Sequence, residues 1–334
     1  MNTETRLASG NVDVTYLAKI NTHERDARIV FDEEPHLYYI DGSTEGYTSV
    51  TTYVHSHFES FDADKIIANM MKSKNWKNNE KYYGKTPEQI KQEWQDNCDK
   101  AAADGTRMHY VIECFYNEKY NPDSARNKPY YASLEEHTLE TENEKSIPLC
   151  LDDEEKGKIS SNTTTIKHTG DNEDAVDHLY QFTGSTIEFE YFLSFLHAHS
   201  NLIPFRTEWT IFDEELKLAG SIDMVFYDQD THNYHIYDWK RCRNIQKTNG
   251  FNKWGNKECI DHLPDSNYWH YSLQLNIYKA LLERKYNINI DSLYLVCMHP
   301  NNKNQNYLKI KAPCLQEEVN HLFALRLHDL DITI

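Results

Sequence analysis

Two carboxylates and a lysine at strand spacing are the residues in this 334-residue chain whose types could do chemistry together. Asp223 lies in Gly220-Ser-Ile-Asp-Met-Val-Phe226, and Asp238 in Ile236-Tyr-Asp-Trp-Lys240. Both acids sit among apolar residues, where an unpaired carboxylate is costly, so a cation is the expected partner. A hard ion such as Mg²⁺ wants oxygen ligands projected from rigid, adjacent backbone, which two neighbouring strands supply. Lys240 follows Asp238 by two residues and so shares its sheet face. From there it could orient a water or stabilise developing negative charge. The combination suits phosphodiester hydrolysis, which needs a nucleophilic water, charge neutralisation and a divalent cation.

Strands must position these groups, and the sequence supplies them. Phe205–Phe212, Leu216–Tyr227 and Tyr234–Trp239 read as consecutive strands separated by Asp213-Glu214-Glu215 and by Asp228–Asn233. A helix around Ile187–Leu196 precedes them, and a long amphipathic helix, Asn267–Lys285, follows. Short strands at Ser292–Met298 and Tyr307–Lys311 and a helix over Leu315–Leu330 close the chain. Upstream, Arg28–Tyr39 alternates like a strand, and Asp41-Gly42 predicts the turn of a hairpin leading to Tyr47–Thr52, a second strand or a helix entry. Asp62–Met71 and Pro87–Tyr116 carry helical spacing, with Thr86 as N-cap and Pro87 in the first helical position. The class is α/β or α+β, a mixed sheet flanked by helices behind a largely helical N-terminal part. Three units are expected: residues 1–120, a polar acidic insertion at 121–183, and a core over 184–334.

The acid-x-Lys tripeptide has no specificity alone, since it occurs four times, ending at Lys156, Lys217, Lys240 and Lys285. Only the one at Lys240 ends a core strand directly after a Gly-x-x-Asp strand. Here the sequence resembles the PD-(D/E)XK nucleases, in which an acid on one strand is followed by acid-x-Lys on the next. Gly105-Thr-Arg-Met-His109 with Glu113, and Gln274-Leu-Asn-Ile-Tyr278, are similar to the helix motif and the QxxxY motif of the RecB-like branch, which includes a mitochondrial genome-maintenance exonuclease. Thr48–Thr52 looks like a segment of mitochondrial and large-DNA-virus relatives. The resemblance implies a restriction-endonuclease-like core and a Mg²⁺- or Mn²⁺-dependent exonuclease on DNA ends or single strands, serving replication, repair or recombination. It implies a metal held by His109, Asp223, Asp238 and the backbone carbonyl of Trp239, with Glu113 a possible further ligand. Glu208 joins Asp223, Asp238 and Lys240 as a catalytic group, and Gln274 and Tyr278 line the DNA path.

Charge is unevenly placed. The net charge is −18, and Tyr131–Tyr180 alone carries a net −9. Trp239–Lys257 instead holds Lys240, Arg241, Arg243, Lys247, Lys253 and Lys257 and no acid. With Phe251 and Trp254 interleaved, this stretch fits a groove that grips a nucleic-acid backbone, and Arg241, Arg243, Lys247, Lys253 and Trp254 are its candidate contacts. Its plain alternative is a solvated loop. No apolar run is long enough to cross a membrane and no secretion signal is evident, so an intracellular, unsecreted protein is expected. Seven cysteines, none in a CxxC pair, argue against an iron–sulfur cluster. Two other functions stay open: a nucleic-acid-binding module without catalysis, and a nuclease acting on RNA.

Overall fold

The computed structural model describes residues 14–120 and 186–333; the acidic segment at 121–183 lies outside the described residues. Among these, α1 is Tyr16–Ile20, β1 Ile29–Asp32, β2 Leu37–Ile40, β3 Thr48–Ser49, α2 Val50–His55, α3 Ala63–Lys72 and α4 Pro87–Tyr120. After the undescribed segment come α5 Thr186–Ala198, β4 Leu202–Asp213, β5 Leu218–Asp228, β6 Asn233–Lys240, α6 Asn267–Lys285, β7 Ile290–Cys297, β8 Leu308–Lys311 and α7 Gln316–Thr333.

The start of α4 follows from its cap. Gln89 donates its backbone N–H to Thr86 Oγ1 at 3.3 Å, and Thr86 N–H donates back to Gln89 Oε1 at 2.9 Å. This reciprocal capping box satisfies two amides that the first helical turn leaves open, and Pro87 has no N–H to orphan. The N-terminal hairpin differs from the sequence reading. Its strands are β1 and β2, paired antiparallel from Ile29↔Ile40 to Asp32↔Leu37, so the reversal falls at Glu33–His36 instead of Asp41-Gly42. Pro35 fits a turn better than a strand, and His36 takes the left-handed conformation (φ 56°) that closes the loop. Asp41 and Gly42 (φ 51° and 81°) then redirect the chain towards Tyr47.

β3 joins a six-stranded mixed sheet in the order β3-β5-β6-β7-β8, with β4 also on β5. β4 and β6 pair antiparallel with β5, β7 runs parallel to β6, and β8 returns antiparallel. β3 pairs Thr48 with Leu218 and Ser49 with Ala219, positions where β4 already occupies the other edge of β5. β3 and β6 therefore share one edge of β5, and Gly220–Asp223 lies between them.

Each face of the sheet carries a helical layer. Phe115 and Tyr116 of α4 and Phe192 and Phe195 of α5 pack on Met224, Phe226, Tyr237, Trp239 and Val296. On the opposite face, α2, α6 and α7 bring Val50, Leu273, Leu281, Val319 and Leu322 against Ile211, Val225, Ile236 and Leu295. Each buried Leu, Val or Phe contributes about 1.5–3 kcal/mol of transfer free energy, enough in sum to fix the helices on a twisted sheet. The acidic β4–β5 turn is tied down by cations from two places, the turn before β1 and the end of α6. Arg25 meets Glu214 at 2.6 Å with its guanidinium 4.1 Å over the Phe212 ring, Arg284 meets Asp213 at 3.2 Å, and Lys285 meets Glu215 at 2.8 Å. No described helix is long and apolar enough to cross a membrane.

Buried His57 and half-buried Glu214 both contribute to the pH response of this fold. Burial, helped by Lys257, depresses His57 to about 4, and neither of its ring nitrogens has a hydrogen-bond partner. Burial alone would raise Glu214, but the Arg25 hydrogen bond overrides it and holds the carboxyl at about 2. Both values are depressed, so both contributions are present at neutral pH and lost on acidification. The His57 part goes between its ordinary 6.5 and about 4, and the Glu214 part between its ordinary 4.5 and about 2. Between pH 7 and pH 4, thermal unfolding should show His57→Phe losing on the order of 2 kcal/mol less stability than wild type. An unchanged decline in the variant would exclude His57 as its source.

Candidate active site

β5 and β6 are paired from Asp228↔Asn233 as far as Met224↔Tyr237 and then part. The next two residues are Asp223 and Asp238, so both carboxylates lie where the ladder opens. Asp223 Oδ2 accepts the backbone N–H of Trp239 at 2.8 Å, replacing a ladder bond with a side-chain one and holding the split at a fixed width. Asp238 is 3% exposed and Lys240 Nζ approaches its Oδ2 at 2.7 Å. That approach pairs the buried carboxylate with the ammonium. Ile236 packs in the α6 layer, and Tyr237 and Trp239 in the α4–α5 layer, so Asp238 and Lys240 point to the α6 side as the two-residue period requires.

The opposite layer reaches in through the split. His109 of α4 places Nε2 2.8 Å from the Trp239 carbonyl oxygen and Nδ1 3.4 Å from Glu208 Oε1 and 3.6 Å from Asp223 Oδ2. His109, Glu208 and Asp223 each offer a ligand atom, all within 4.8 Å of one another. Glu208 attains this position through unusual backbone. Its φ is 42°, inside a strand whose neighbours Thr207 and Trp209 keep their pairing with Met224 and Ile222. A left-handed non-glycine residue costs on the order of 1–3 kcal/mol and persists only where surrounding structure compels it. Ser221 donates its hydroxyl to Glu208 Oε2 at 3.2 Å and helps hold the carboxylate.

The electrostatics match a site built for a cation. Burial raises the Asp223 carboxyl against the pull of His109 and Lys240, and burial pushes Asp238 up to about 6 despite Lys240. Burial opposes charge on Lys240, yet Asp238 and Asp223 hold its ammonium above the ordinary lysine range. Burial likewise disfavours the His109 imidazolium, but Asp223 and Glu208 outweigh it and raise the group to about 9. Two carboxylates and one imidazole, rich in oxygen and free of thiolate, fit Mg²⁺ or Mn²⁺ better than a soft metal.

α6 supplies one wall. Gln274 Nε2 donates to the Tyr278 hydroxyl at 3.2 Å, and the Tyr278 ring lies against Gly220 so closely that a Cβ there would sit 2.7 Å from Cε1. The glycine of Gly-x-x-Asp and the tyrosine of QxxxY are thus two halves of one contact. Tyr278 is 3% exposed, its ring packed into the wall at Gly220. Arg241 meets Glu188 at 2.7 Å and Asp104 at 3.1 Å, tying the end of β6 to α5 and α4. Lys253 pairs with Glu59 at 2.9 Å, and Lys247 Nζ lies 5.2 Å over the Tyr268 ring. Arg243, Phe251 and Trp254 are exposed, Phe251 at 82%. Glu113 is buried with its backbone oxygen bonded to Asn117, and it stays outside the group formed by His109, Glu208 and Asp223.

Residues 80–330, most of the chain, match the family model of the PD-(D/E)XK nuclease superfamily. The chain belongs to this superfamily. The mixed sheet flanked by helices is its restriction-endonuclease-like fold, and PD-(D/E)XK nucleases generally act on nucleic acid with divalent metals such as Mg²⁺ or Mn²⁺. No curated protein matches the chain. Sequence reasoning grouped Glu208 with the catalytic acids; the structure puts it directly beside His109 and Asp223. It overlooked Ser221 and Tyr271, although Tyr271 stands one helical turn before Gln274 on α6 and carries Lys240 Nζ 4.6 Å from its ring centroid.

A divalent cation entering between His109, Glu208 and Asp223 must replace the imidazolium proton. Calorimetric titration with Mn²⁺ at pH 7, in buffers of different ionisation enthalpy, should register release of about one proton. Affinity should rise with pH towards about 9, the His109 value, because a raised imidazole is charged below it. His109→Gln should weaken binding about tenfold or more and abolish the proton release. Release that persists in the variant would exclude His109 as the group displaced.

Proposed function

We propose that this PD-(D/E)XK nuclease is a Mg²⁺- or Mn²⁺-dependent deoxyribonuclease of the RecB-like branch that shortens DNA from ends or single strands. The observation that carries the reading is the histidine of α4, on the far face of the sheet, reaching through the β5–β6 split to within 3.4 Å of Glu208 and 3.6 Å of Asp223. A helix-borne histidine beside the sheet-borne acids is what the RecB-like resemblance implies.

His109, Glu208 and Asp223 would hold the cation, with the Trp239 carbonyl beside His109 and Asp238 paired with Lys240. Bound there, a divalent ion supplies Lewis acidity towards phosphoryl oxygens and a more acidic water. Lys240, kept charged by Asp238, stands ready to stabilise negative charge developing on the phosphate. The chain leaving Lys240 is held close to the sheet: Met298 N–H donates to the Lys240 carbonyl at 2.9 Å and the Cys297 thiol to the Cys242 carbonyl at 2.8 Å. Beyond it, the exposed Arg243 and Lys247 with Phe251 and Trp254 form the surface on which a strand would lie, its phosphates against cations and its bases against rings. Arg241, engaged with Glu188 and Asp104, supports this surface from beneath.

End-labelled single- and double-stranded DNA, incubated with Mg²⁺, Mn²⁺ or EDTA, tests the reading. Wild type should shorten DNA only with metal, and Lys240→Ala should lose at least about 100-fold in rate with the fold retained. Undiminished cutting by Lys240→Ala would sink the site assignment, and intact DNA under every condition would sink the catalytic reading. Matched RNA in the same gel decides the sugar. Replacing Arg243 and Lys247 together with Gln should raise KM with kcat little changed and flatten the dependence of log KM on log salt by roughly 1–2. An unaltered salt slope would show that the strand runs elsewhere.

A further inference from the structure

Tyr271, Gln274 and Tyr278 follow the i, i+3, i+7 spacing of one helical face, and α6 turns that face to the β5–β6 split. Gln274 meets Tyr278, Tyr278 meets Gly220, and Tyr271 meets Lys240. Its ring centroid lies 4.6 Å from Lys240 Nζ, while Asp238 Oδ2 lies 2.7 Å from the same nitrogen. We propose that Tyr271 is a positioning residue for the reaction: its ring face holds the Lys240 ammonium in place while leaving its N–H donors for substrate and water. The inference rests on Lys240 being the catalytic lysine.

The physical case concerns what else could fix a lysine there. Lys240 swings on four side-chain torsions, and Asp238 alone constrains it from one side. A second carboxylate would compete for the ammonium and add charge to a site already rich in acids. A hydroxyl or carbonyl acceptor would occupy one of its three donors. An aromatic face attracts the cation through its quadrupole, takes no donor in fixed geometry and excludes water from that flank. Burial strengthens the attraction, because a partly desolvated ammonium has lost competing water.

The ring can serve this purpose because its helix is registered to the lysine's strand. Gln246 N–H donates to Asn267 Oδ1 at 2.8 Å, Asn267 Nδ2 to the Asn244 carbonyl at 2.7 Å, and Trp269 Nε1 to the Lys247 carbonyl at 2.8 Å. These bonds fasten the first turn of α6 to the chain leaving β6, a few residues from both Lys240 and Tyr271. The ring and the ammonium are therefore set by one short clamped connection as well as by the packing of α6 on the sheet.

Steady-state cleavage by Tyr271→Leu and Tyr271→Phe, each also placed in Lys240→Ala, tests the proposal, with folding checked by thermal unfolding and the metal site by Mn²⁺ titration. Tyr271→Leu should lower kcat about 5- to 30-fold with KM within about twofold, and Tyr271→Phe should stay within about twofold of wild type in both. In the Lys240→Ala background, Tyr271→Leu should have no further effect on the residual rate, and Mn²⁺ affinity should be unchanged throughout. Tyr271→Met, unbranched and more adaptable, replaces the leucine variant should that one fail to fold. Wild-type kcat in the ring-less variant, a phenylalanine variant as impaired as the leucine one, or an equal loss with Lys240 already gone would each overturn the inference. Wild-type protein inert towards nucleic acid, or Lys240→Ala fully active, would instead overturn the nuclease assignment of Lys240 on which it stands.

Discussion

The parting of β5 and β6 beyond Met224 and Tyr237 is the constraint on which the site depends. Continued pairing would satisfy the backbone of Gly220–Asp223 and bring Asp223 and Asp238 side by side as two buried carboxylates with no entrance. The split instead gives Asp223 an amide to accept, leaves Asp238 to Lys240 and opens a gap into which His109 reaches. β3 occupies the same edge of β5 a few residues earlier, so the gap is bounded at both ends by paired backbone. Its width is a property of the sheet, and the sheet is clamped by helices on both faces.

That geometry carries electrostatic cost, which the surrounding residues distribute. Burial works against every charge in the group, raising Asp223 and Asp238 and opposing His109 and Lys240. Mutual attraction keeps the imidazole and the ammonium charged all the same. Glu208 adds backbone strain, with a positive φ held by the flanking pairs, the Ser221 hydroxyl and His109. Such a cluster is poorly balanced for stability alone, and a divalent cation is the kind of ligand that would relieve it.

The overall acidity of the chain has little bearing on the nucleic-acid surface. Half of the net charge falls in Tyr131–Tyr180, outside the described residues, whereas Trp239–Lys257 is wholly basic. Within that stretch the structure divides the work. Arg241 braces helices, Lys253 braces the chain at Glu59, and Arg243 and Lys247 remain at the surface. A charge count could not separate these uses, since burial and partner identity are tertiary facts.

Much was legible in the sequence because it is written in local periodicity. The three central strands, α6 and α7 came from alternation and helical spacing, and Thr86-Pro87 marked the start of α4 by cap chemistry. Asp238 and Lys240 shared a face because the strand period is two. The hairpin turn was misplaced because two adjacent turn signals, Pro35 and Asp41-Gly42, compete, and only the pairing of Ile29 with Ile40 selects between them. Glu208 beside His109, Tyr278 beneath Gly220, Tyr271 over Lys240 and the bracing role of Arg241 were decided by tertiary structure alone. Each joins elements far apart in the chain, and which side chains meet depends on where a strand splits and how a helix face is rotated. Sequence spacing determines the face a residue occupies; packing determines what that face meets.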